Sequence, residues 1–371
     1  LRCLILKNTG FGEVSPILRA ARELHGEITA AADEIEQTRR LPDRIAASLK
    51  NAGVFAMAIP RAWGGPELDP LTQLEILEAL AMADGSVSWC VMINCDSGYM
   101  SAFLPQDFAR AMYPDITVAT GGSVTPLGFA ARVPGGYRIS GRFPFGSGVH
   151  HCEWMFLGCV VTENGAPRRD ANGVPETRQC FLSRTEFDIL DTWHTMGLRG
   201  TGSNDITVSD VFVEEERTFS FQDPELIKRS GPLYAFPLMF IAKGCGPALG
   251  VARHAVDHFI AEAPRRSGRR YMLGDHLEEP KPLAESVQVQ DAVARADAMV
   301  CAARAHAFQV VGELWGTLLA DEKPSARLQS RFRTLYAHVV GSCVEAVQLV
   351  CKAAGGKAVY TASSNAVCAI S

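Results

Sequence analysis

The sequence predicts an α+β fold in three parts: an N-terminal helical domain over 1–114, a central β-barrel or β-sandwich domain over 115–218, and a C-terminal helix bundle over 219–371. Three observations carry this. Apolar residues recur at helical spacing in the first third. Alternating and continuous apolar runs surround a Gly135-Gly136 turn in the middle, and helical spacing returns over long stretches after residue 237. With 371 residues, the chain has material for two or three domains at roughly 100–200 residues each.

The first elements follow from their start and stop signals. Pro42 opens a helix whose Ile45 and Leu49 lie four apart, and Gly53 stops it. Asp69-Pro70 opens another, with Leu71, Leu74, Leu77 and Leu80 toward one side. The stretch 86–104 is apolar nearly all round and predicts a buried helix, with Pro105 and Pro114 closing the region. Phe129, Ala131 and Val133, then Tyr137 and Ile139, alternate on either side of Gly135-Gly136 as in a β-hairpin. The apolar run 154–162 reads as a buried strand, and Ile206, Val208, Val211 and Val213 end the β region. Helices are predicted over 237–263, 284–319 and 326–354, and the Arg265 to Arg270 cluster reads as an exposed connection.

Composition excludes several classes. A net charge of −5 gives no basis for non-specific nucleic-acid binding. No apolar run reaches the roughly 18 residues of a membrane span, and the apolar stretch Cys3 to Leu6 is too short for a secretory signal. The first residue is not Met, which is consistent with a start further upstream. The 11 cysteines include no pair at CxxC spacing, so a metal site or disulfide framework is not indicated and a reducing cytoplasm is expected.

Several constellations compete with plainer readings. Gly197-Leu198-Arg199-Gly200-Thr201-Gly202 resembles a phosphate loop in composition, but a strand pattern follows it where a dinucleotide site needs a helix. There is no Walker motif. His254 and His258 stand four apart without an HExxH context and read as two residues on a bundle face. His150-His151 fit either the flank of a site or an exposed loop. The segment Phe143-Pro144-Phe145-Gly146-Ser147-Gly148 combines aromatic faces, a hydroxyl and two glycines that let a flat ligand approach the backbone. By itself it is equally a tight β-turn. The aromatic and polar run from Trp193 to Thr201 adds to the ligand reading.

Taken together, these segments resemble the acyl-CoA dehydrogenase superfamily. The carriers are Ala52-Gly53-Val54 through Pro60 with Gly64-Gly65, the stretch Gly135 to Arg142, and Gly197-Leu198-Arg199-Gly200-Thr201 followed by Val211-Phe212-Val213. The similarity spans roughly residues 15–360. Dehydrogenases of the family carry Trp followed by Ile-Thr where this chain has Phe145-Gly146-Ser147. The Phe-Gly-Ser-Gly version and the run Thr192 to Ser203 are similar to the oxygenase components of two-component flavin monooxygenases. Asn94-Cys95-Asp96-Ser97-Gly98-Tyr99 is similar to the indole-acetate monooxygenase branch.

The resemblance implies that reduced flavin (FADH2 or FMNH2) binds between the β domain and the C-terminal bundle, and that O2 adds at flavin C4a to give a hydroperoxide that oxidises a small aromatic substrate. It implies flavin contacts from Ser123, Phe145, Gly146, Ser147, Gly148 and Trp193, with the Ser147 hydroxyl beside flavin N5 as the catalytic group. Ser97, Tyr99, Phe143 and Trp154 are the implied substrate pocket. Ser97 falls where phenol-hydroxylating relatives place a histidine, which favours an indole-like or otherwise neutral aromatic. A separate NAD(P)H-flavin reductase is implied, since the chain has no nicotinamide fingerprint, and so is a homo-oligomer, a tetramer in most relatives. The rivals are an acyl-CoA dehydrogenase and a degenerate scaffold. The first needs a carboxylate base, yet 233–256 holds no Asp or Glu and nothing after Glu345 is acidic. The family pattern continues after Gly355-Gly356 into a basic helix, whereas the tail 361–371 has no Arg, Asp or His. A shortened or frame-shifted C-terminus that impairs flavin binding is the resulting expectation.

Overall fold

The computed structural model describes residues 14–223, 225–267, 272–273, 276–277 and 281–356. The tail at 361–371, the Cys3 to Leu6 stretch and part of the Arg265 to Arg270 cluster lie outside the described residues.

Eight helices come first: α1 (Pro16–Glu23), α2 (His25–Ala30), α3 (Ala32–Thr38), α4 (Asp43–Asn51), α5 (Pro70–Ala81), α6 (Gly85–Asn94), α7 (Ser97–Met100) and α8 (Gln106–Met112). The Asp69 carboxylate accepts from Leu71 N and Thr72 N, both at 3.0 Å, so α5 starts where its Asp-Pro signal places it. Asp84 caps α6 in the same way through Val87 N. The single buried helix expected over 86–104 is divided. α6 stops at Asn94, Cys95 pairs with Thr120, and α7 follows. Two packing facts explain the break. Asn94 and Asp96 commit their side chains to distant partners, and a Cβ at Gly98 would stand 2.0 Å from Ala58 O, so α7 packs backbone against backbone.

The middle of the chain forms β1 (Ala119–Val133), β2 (Gly136–Gly146), β3 (Cys152–Glu163), β4 (Ala166–Pro167), β5 (Thr177–Ser183), β6 (Asp188–Leu190), β7 (Asn204–Glu214) and β8 (Thr218–Phe219). They make one eight-stranded sheet in the order β6-β7-β2-β1-β3-β5-β8, with β4 on β3. β1 and β3 are parallel and the other pairs are antiparallel. The hairpin turns at Gly135, whose φ of 81° needs glycine, and Val133 pairs with Gly136.

Strand alternation splits the core in two. Met155, Leu157, Cys159, Cys180 and Leu182 face the N-terminal helices α1 to α6, while Phe156, Phe181 and Phe219 face the C-terminal bundle. That bundle holds a 3-10 segment (Met239–Gly244), α9 (Cys245–Glu262), α10 (Val287–Leu319) and α11 (Ala326–Ala354), with a short β9 (Met272–Leu273) and β10 (His276–Leu277) pair between α9 and α10. α11 has the length and apolar content to cross a membrane by composition alone. Its Phe332, Leu335, Val339, Cys343 and Val350 are buried in the bundle core. Cys90, Cys95, Cys152, Cys159 and Cys180 are buried free thiols.

Candidate active site

The end of β2 delivers Ser147 into a junction of three segments. Ser147 is 6% exposed. Its hydroxyl accepts from Trp89 Nε1 of α6 at 3.1 Å and lies 2.8 Å from Ser203 Oγ. Ser203 Oγ is 2.6 Å from Thr201 Oγ1, which donates to Leu198 O at 2.8 Å. Asn94 Nδ2 donates to Ser147 O at 3.1 Å. Gly148 follows with φ of 67°, and a Cβ there would stand 2.0 Å from Asn94 Oδ1, so this position admits only glycine.

Beside Ser147, Phe145 holds φ at 64° and is 66% exposed. A bulky residue in the left-handed region costs on the order of 1–3 kcal/mol, and such strain is concentrated at ligand sites. The Phe145 ring meets the half-buried Trp193 edge to face, with centroids 6.1 Å apart. Trp193 is fixed by three hydrogen bonds. Its indole donates to Leu198 O at 3.0 Å, its backbone N–H donates to Asn204 Oδ1 at 2.9 Å, and its carbonyl accepts from Arg39, which also binds Asp191 at 2.7 Å. Asn204 Oδ1 accepts from Thr192 N as well, so its Nδ2 donates to His150 Nε2 at 3.0 Å. Burial lowers the pKa of His150, and burial followed by the neighbouring His150 pulls His151 down to about 4. Both imidazoles are therefore neutral at pH 7.

Ser123 lies on β1 where that strand leaves β2. The β1–β2 ladder runs only from Phe129↔Ser140 to Val133↔Gly136. Beyond it the strands still touch at Gly141, where a Cβ would stand 2.7 Å from Gly128 Cα, and β1 breaks register with β3 between Ser123 and Gly128. Past that contact the strands part, because β2 follows β7 and β1 follows β3. The exposed Val124 and Leu127 follow Ser123. Val124 lines a cavity of about 660 Å³ with Gln179, Phe221, Leu238, Phe240 and Ile241, between the sheet and the C-terminal part. Gln179 is 2% exposed; its Nε2 donates to Val124 O while its Oε1 has no hydrogen-bond partner.

The four residues expected to line a substrate pocket do not all meet. Ser97 donates to Thr120 Oγ1 at 2.7 Å, and Tyr99 donates to Gln73 Oε1 at 3.1 Å. Trp154 packs on the same core as Tyr99, under the Arg217 guanidinium 5.1 Å from its ring. Phe143 is fully buried in the other core, with its ring against Gly128 and Gly141. Next to Ser97, Asp96 pairs with Lys243 of the 3-10 segment, Nζ to Oδ1 2.5 Å, and the ammonium stands 5.2 Å above the Tyr99 ring. Burial pulls Lys243 toward neutrality, and the Asp96 carboxylate outweighs it, so its pKa is raised. Among the described residues no group of three or more His, Cys, Asp or Glu is arranged to hold a metal. His254 and His258 stack on α9 with centroids 6.0 Å apart.

Sequence reasoning gave no role to Trp89, Gln179 or Lys243, nor to Asn94 and Asp96 within the motif it quoted. Lys243 carried a signal: it is the single charged residue across 233–252. Asn94 and Asp96 were equally visible as polar residues inside an apolar run.

These residues fit a flat group that is apolar on its faces and polar at its edge, as a flavin ring is. Phe145 and Trp193 supply exposed aromatic surface. Ser147 and Ser123 stand at the parting strands. Gln179 Oε1 is an orphaned buried acceptor in the adjoining cavity.

Helices, then a mixed sheet, then a helix bundle, with the site at the sheet's parted strands, define a flavoprotein of acyl-CoA dehydrogenase type. Residues 16–104 match the acyl-CoA dehydrogenase N-terminal domain and residues 243–364 the acyl-CoA dehydrogenase C-terminal domain. The chain belongs to the acyl-CoA dehydrogenase superfamily. It is 29% identical to indole-3-acetate monooxygenase of Acinetobacter baumannii over 337 residues, covering 90% of this chain and 82% of that protein. It is 27% identical to the flavin-dependent monooxygenase oxygenase subunit HsaA of Mycobacterium tuberculosis over 355 residues, covering 93% and 86%. The crystal structure of 3-HSA hydroxylase from Rhodococcus sp. RHA1 superposes with a TM-score of 0.83 at 25% identity, covering 94% of this chain and 88% of that one. The relatives that match over most of the chain are flavin-dependent monooxygenases.

Proposed function

We propose that this chain is the oxygenase component of a two-component flavin monooxygenase that hydroxylates a small aromatic molecule. The observation that carries this reading is Ser147, buried and fixed by Trp89 and Ser203 beside the outward pair Phe145 and Trp193. Bound reduced flavin supplies the electrons that activate O2. The protein's part is to bind, orient and keep water out. Phe145 and Trp193 would hold the ring by its apolar surface, Ser147 would offer it a hydrogen bond at N5, and Ser123 would contact it from β1. Gly146 and Gly148 bring the backbone close. Excluding water matters because activated oxygen in a wet site is lost as hydrogen peroxide.

We assign the substrate pocket to the neighbourhood of Ser97, Tyr99 and Trp154, as the resemblance implies, next to the buried Asp96–Lys243 pair. Its apolar walls and the serine at position 97 suit a neutral, indole-like ring. No free carboxylate stands in the 3-10 segment or the first turns of α9, so a dehydrogenase base is missing there. FAD and FMN both fit the reading, with reduced flavin delivered by a separate NAD(P)H-flavin reductase to a cytoplasmic homotetramer.

The test is turnover with reduced FAD or FMN, isotopically labelled oxygen and a panel of indoles and phenols, read by mass. A product carrying one labelled oxygen atom is expected. Flavin reduction by an acyl-CoA thioester without oxygen insertion would establish the dehydrogenase reading instead. Failure to bind either flavin would establish the scaffold reading.

A further inference from the structure

The hydroxyl chain that starts at Ser147 takes its direction from its far end, the Leu198 carbonyl, which also accepts from Trp193 Nε1 at 3.0 Å and Thr201 N at 3.1 Å. A carbonyl accepts and cannot donate, so the 2.8 Å contact between Thr201 Oγ1 and Leu198 O spends the Thr201 proton. Thr201 then has no proton for Ser203, and the 2.6 Å contact between them needs the Ser203 proton. Ser203 in turn has none for Ser147, and their 2.8 Å contact needs the Ser147 proton. At the other end, Trp89 Nε1 is a donor only, so Ser147 Oγ accepts from it at 3.1 Å. The protons run Trp89 to Ser147 to Ser203 to Thr201 to the Leu198 carbonyl.

One valence of Ser147 Oγ remains, and it is a lone pair. Whatever meets Ser147 at this site must bring its own hydrogen. Flavin N5 carries a hydrogen when reduced and is a bare acceptor when oxidised. We infer that Thr201 and Ser203 act as positioning residues that hold Ser147 as an acceptor, so that the site selects reduced over oxidised flavin. This rests on the reading above that flavin N5 lies against Ser147. It also explains why Thr201, at the end of a short 3-10 turn (Arg199–Thr201), and Ser203, just after it, are buried rather than facing water. The chain leaves none of its hydroxyls free to turn outward. An oxidised ring would set two acceptors against each other and lose its N5 hydrogen bond.

The experiment measures dissociation constants for oxidised and for reduced flavin, anaerobically, in the wild type and in Ser147→Ala, Ser203→Ala, Thr201→Val and Thr201→Ser. In wild type, oxidised flavin binds more weakly than reduced. Ser203→Ala and Thr201→Val each release the Ser147 proton to turn outward. Each therefore tightens oxidised flavin by about 2- to 13-fold, the worth of one neutral hydrogen bond, and leaves reduced flavin unchanged. The bound-flavin midpoint potential falls accordingly, by roughly 30 mV per tenfold for a two-electron couple. Thr201→Ser keeps the wild-type ratio. The near-isosteric Thr201→Val carries the test if Ser203→Ala does not fold. Ser147→Ala weakens reduced flavin. If Ser147→Ala changes neither constant, flavin N5 does not lie against Ser147 and the placement itself falls. If Ser147→Ala weakens reduced flavin while Ser203→Ala and Thr201→Val keep the wild-type ratio, the placement stands and the selecting role of the chain is overturned.

Discussion

Lys243 and Asp96, 147 positions apart, form a buried ion pair that ties the break between α6 and α7 to the entry of the C-terminal bundle. Lys243 Nζ also donates to Phe240 O at 2.8 Å. The pair therefore fixes the 3-10 segment whose Phe240 and Ile241, with Leu238 just before them, wall the cavity beside Val124.

Removing one partner should strand a buried charge. Asp96→Ala is expected to lower unfolding stability by about 3–5 kcal/mol, whereas the combined Asp96→Leu, Lys243→Met chain should recover most of it. Urea unfolding of the single and double variants checks this. A double variant as unstable as the single would show that the pair contributes more than mutual neutralisation.

Ser147→Ala should uncouple oxygen use from hydroxylation. The loss of one hydrogen bond, about 0.5–1.5 kcal/mol, corresponds to roughly 2- to 13-fold more hydrogen peroxide per product. Peroxide and product are quantified in the same reaction. An unchanged ratio would remove Ser147 from the role proposed for it.

The purified chain should not oxidise NADH or NADPH by itself, because no strand-loop-helix fingerprint for a nicotinamide occurs among the described residues. Adding any competent flavin reductase should start oxygen consumption. Rapid NADH oxidation by the chain alone, followed at the nicotinamide absorbance band, would contradict the two-component assignment.

Acid should weaken the fold through His151. Its pKa is lowered by burial and by His150 to about 4, against about 6.5 when unfolded. The stability carried by neutral His151 is therefore complete above about pH 6.5 and is lost as the pH falls toward about 4. Asp84, pushed up to about 6 by burial, runs the other way: its contribution is present below about pH 4 and is lost as the pH rises through about 6. Comparing wild type with His151→Gln cancels Asp84. The wild type should lose more unfolding free energy than the variant between about pH 7 and about pH 4.5. Parallel losses would show that His151 is not the group responsible.

Much of the architecture was legible because it is local. The Asp-Pro start of α5, the glycine turn between β1 and β2, and the whole of α11 follow from spacing and terminal residues within a few positions. The two segments singled out for the candidate site, 143–148 and 193–201, were visible because glycine, hydroxyl and aromatic residues cluster there. The division of 86–104 was not legible, since an apolar run looks the same whether it is one helix or two. Only the packing of Gly98 on Ala58 and the distant partners of Asn94 and Asp96 decide that.

The sequence by itself determined the order of helices, sheet and bundle, and the residue types available for a flavin-like ligand. Tertiary structure alone decided that Ser147 meets Ser203 and Trp89, that Asp96 meets Lys243, and that Phe143 belongs to the core behind the strands. The reason is physical. Periodicity records which face of an element is apolar. The direction of a proton along a chain of hydroxyls, or the partner of a buried charge, depends on register and approach between segments more than fifty residues apart.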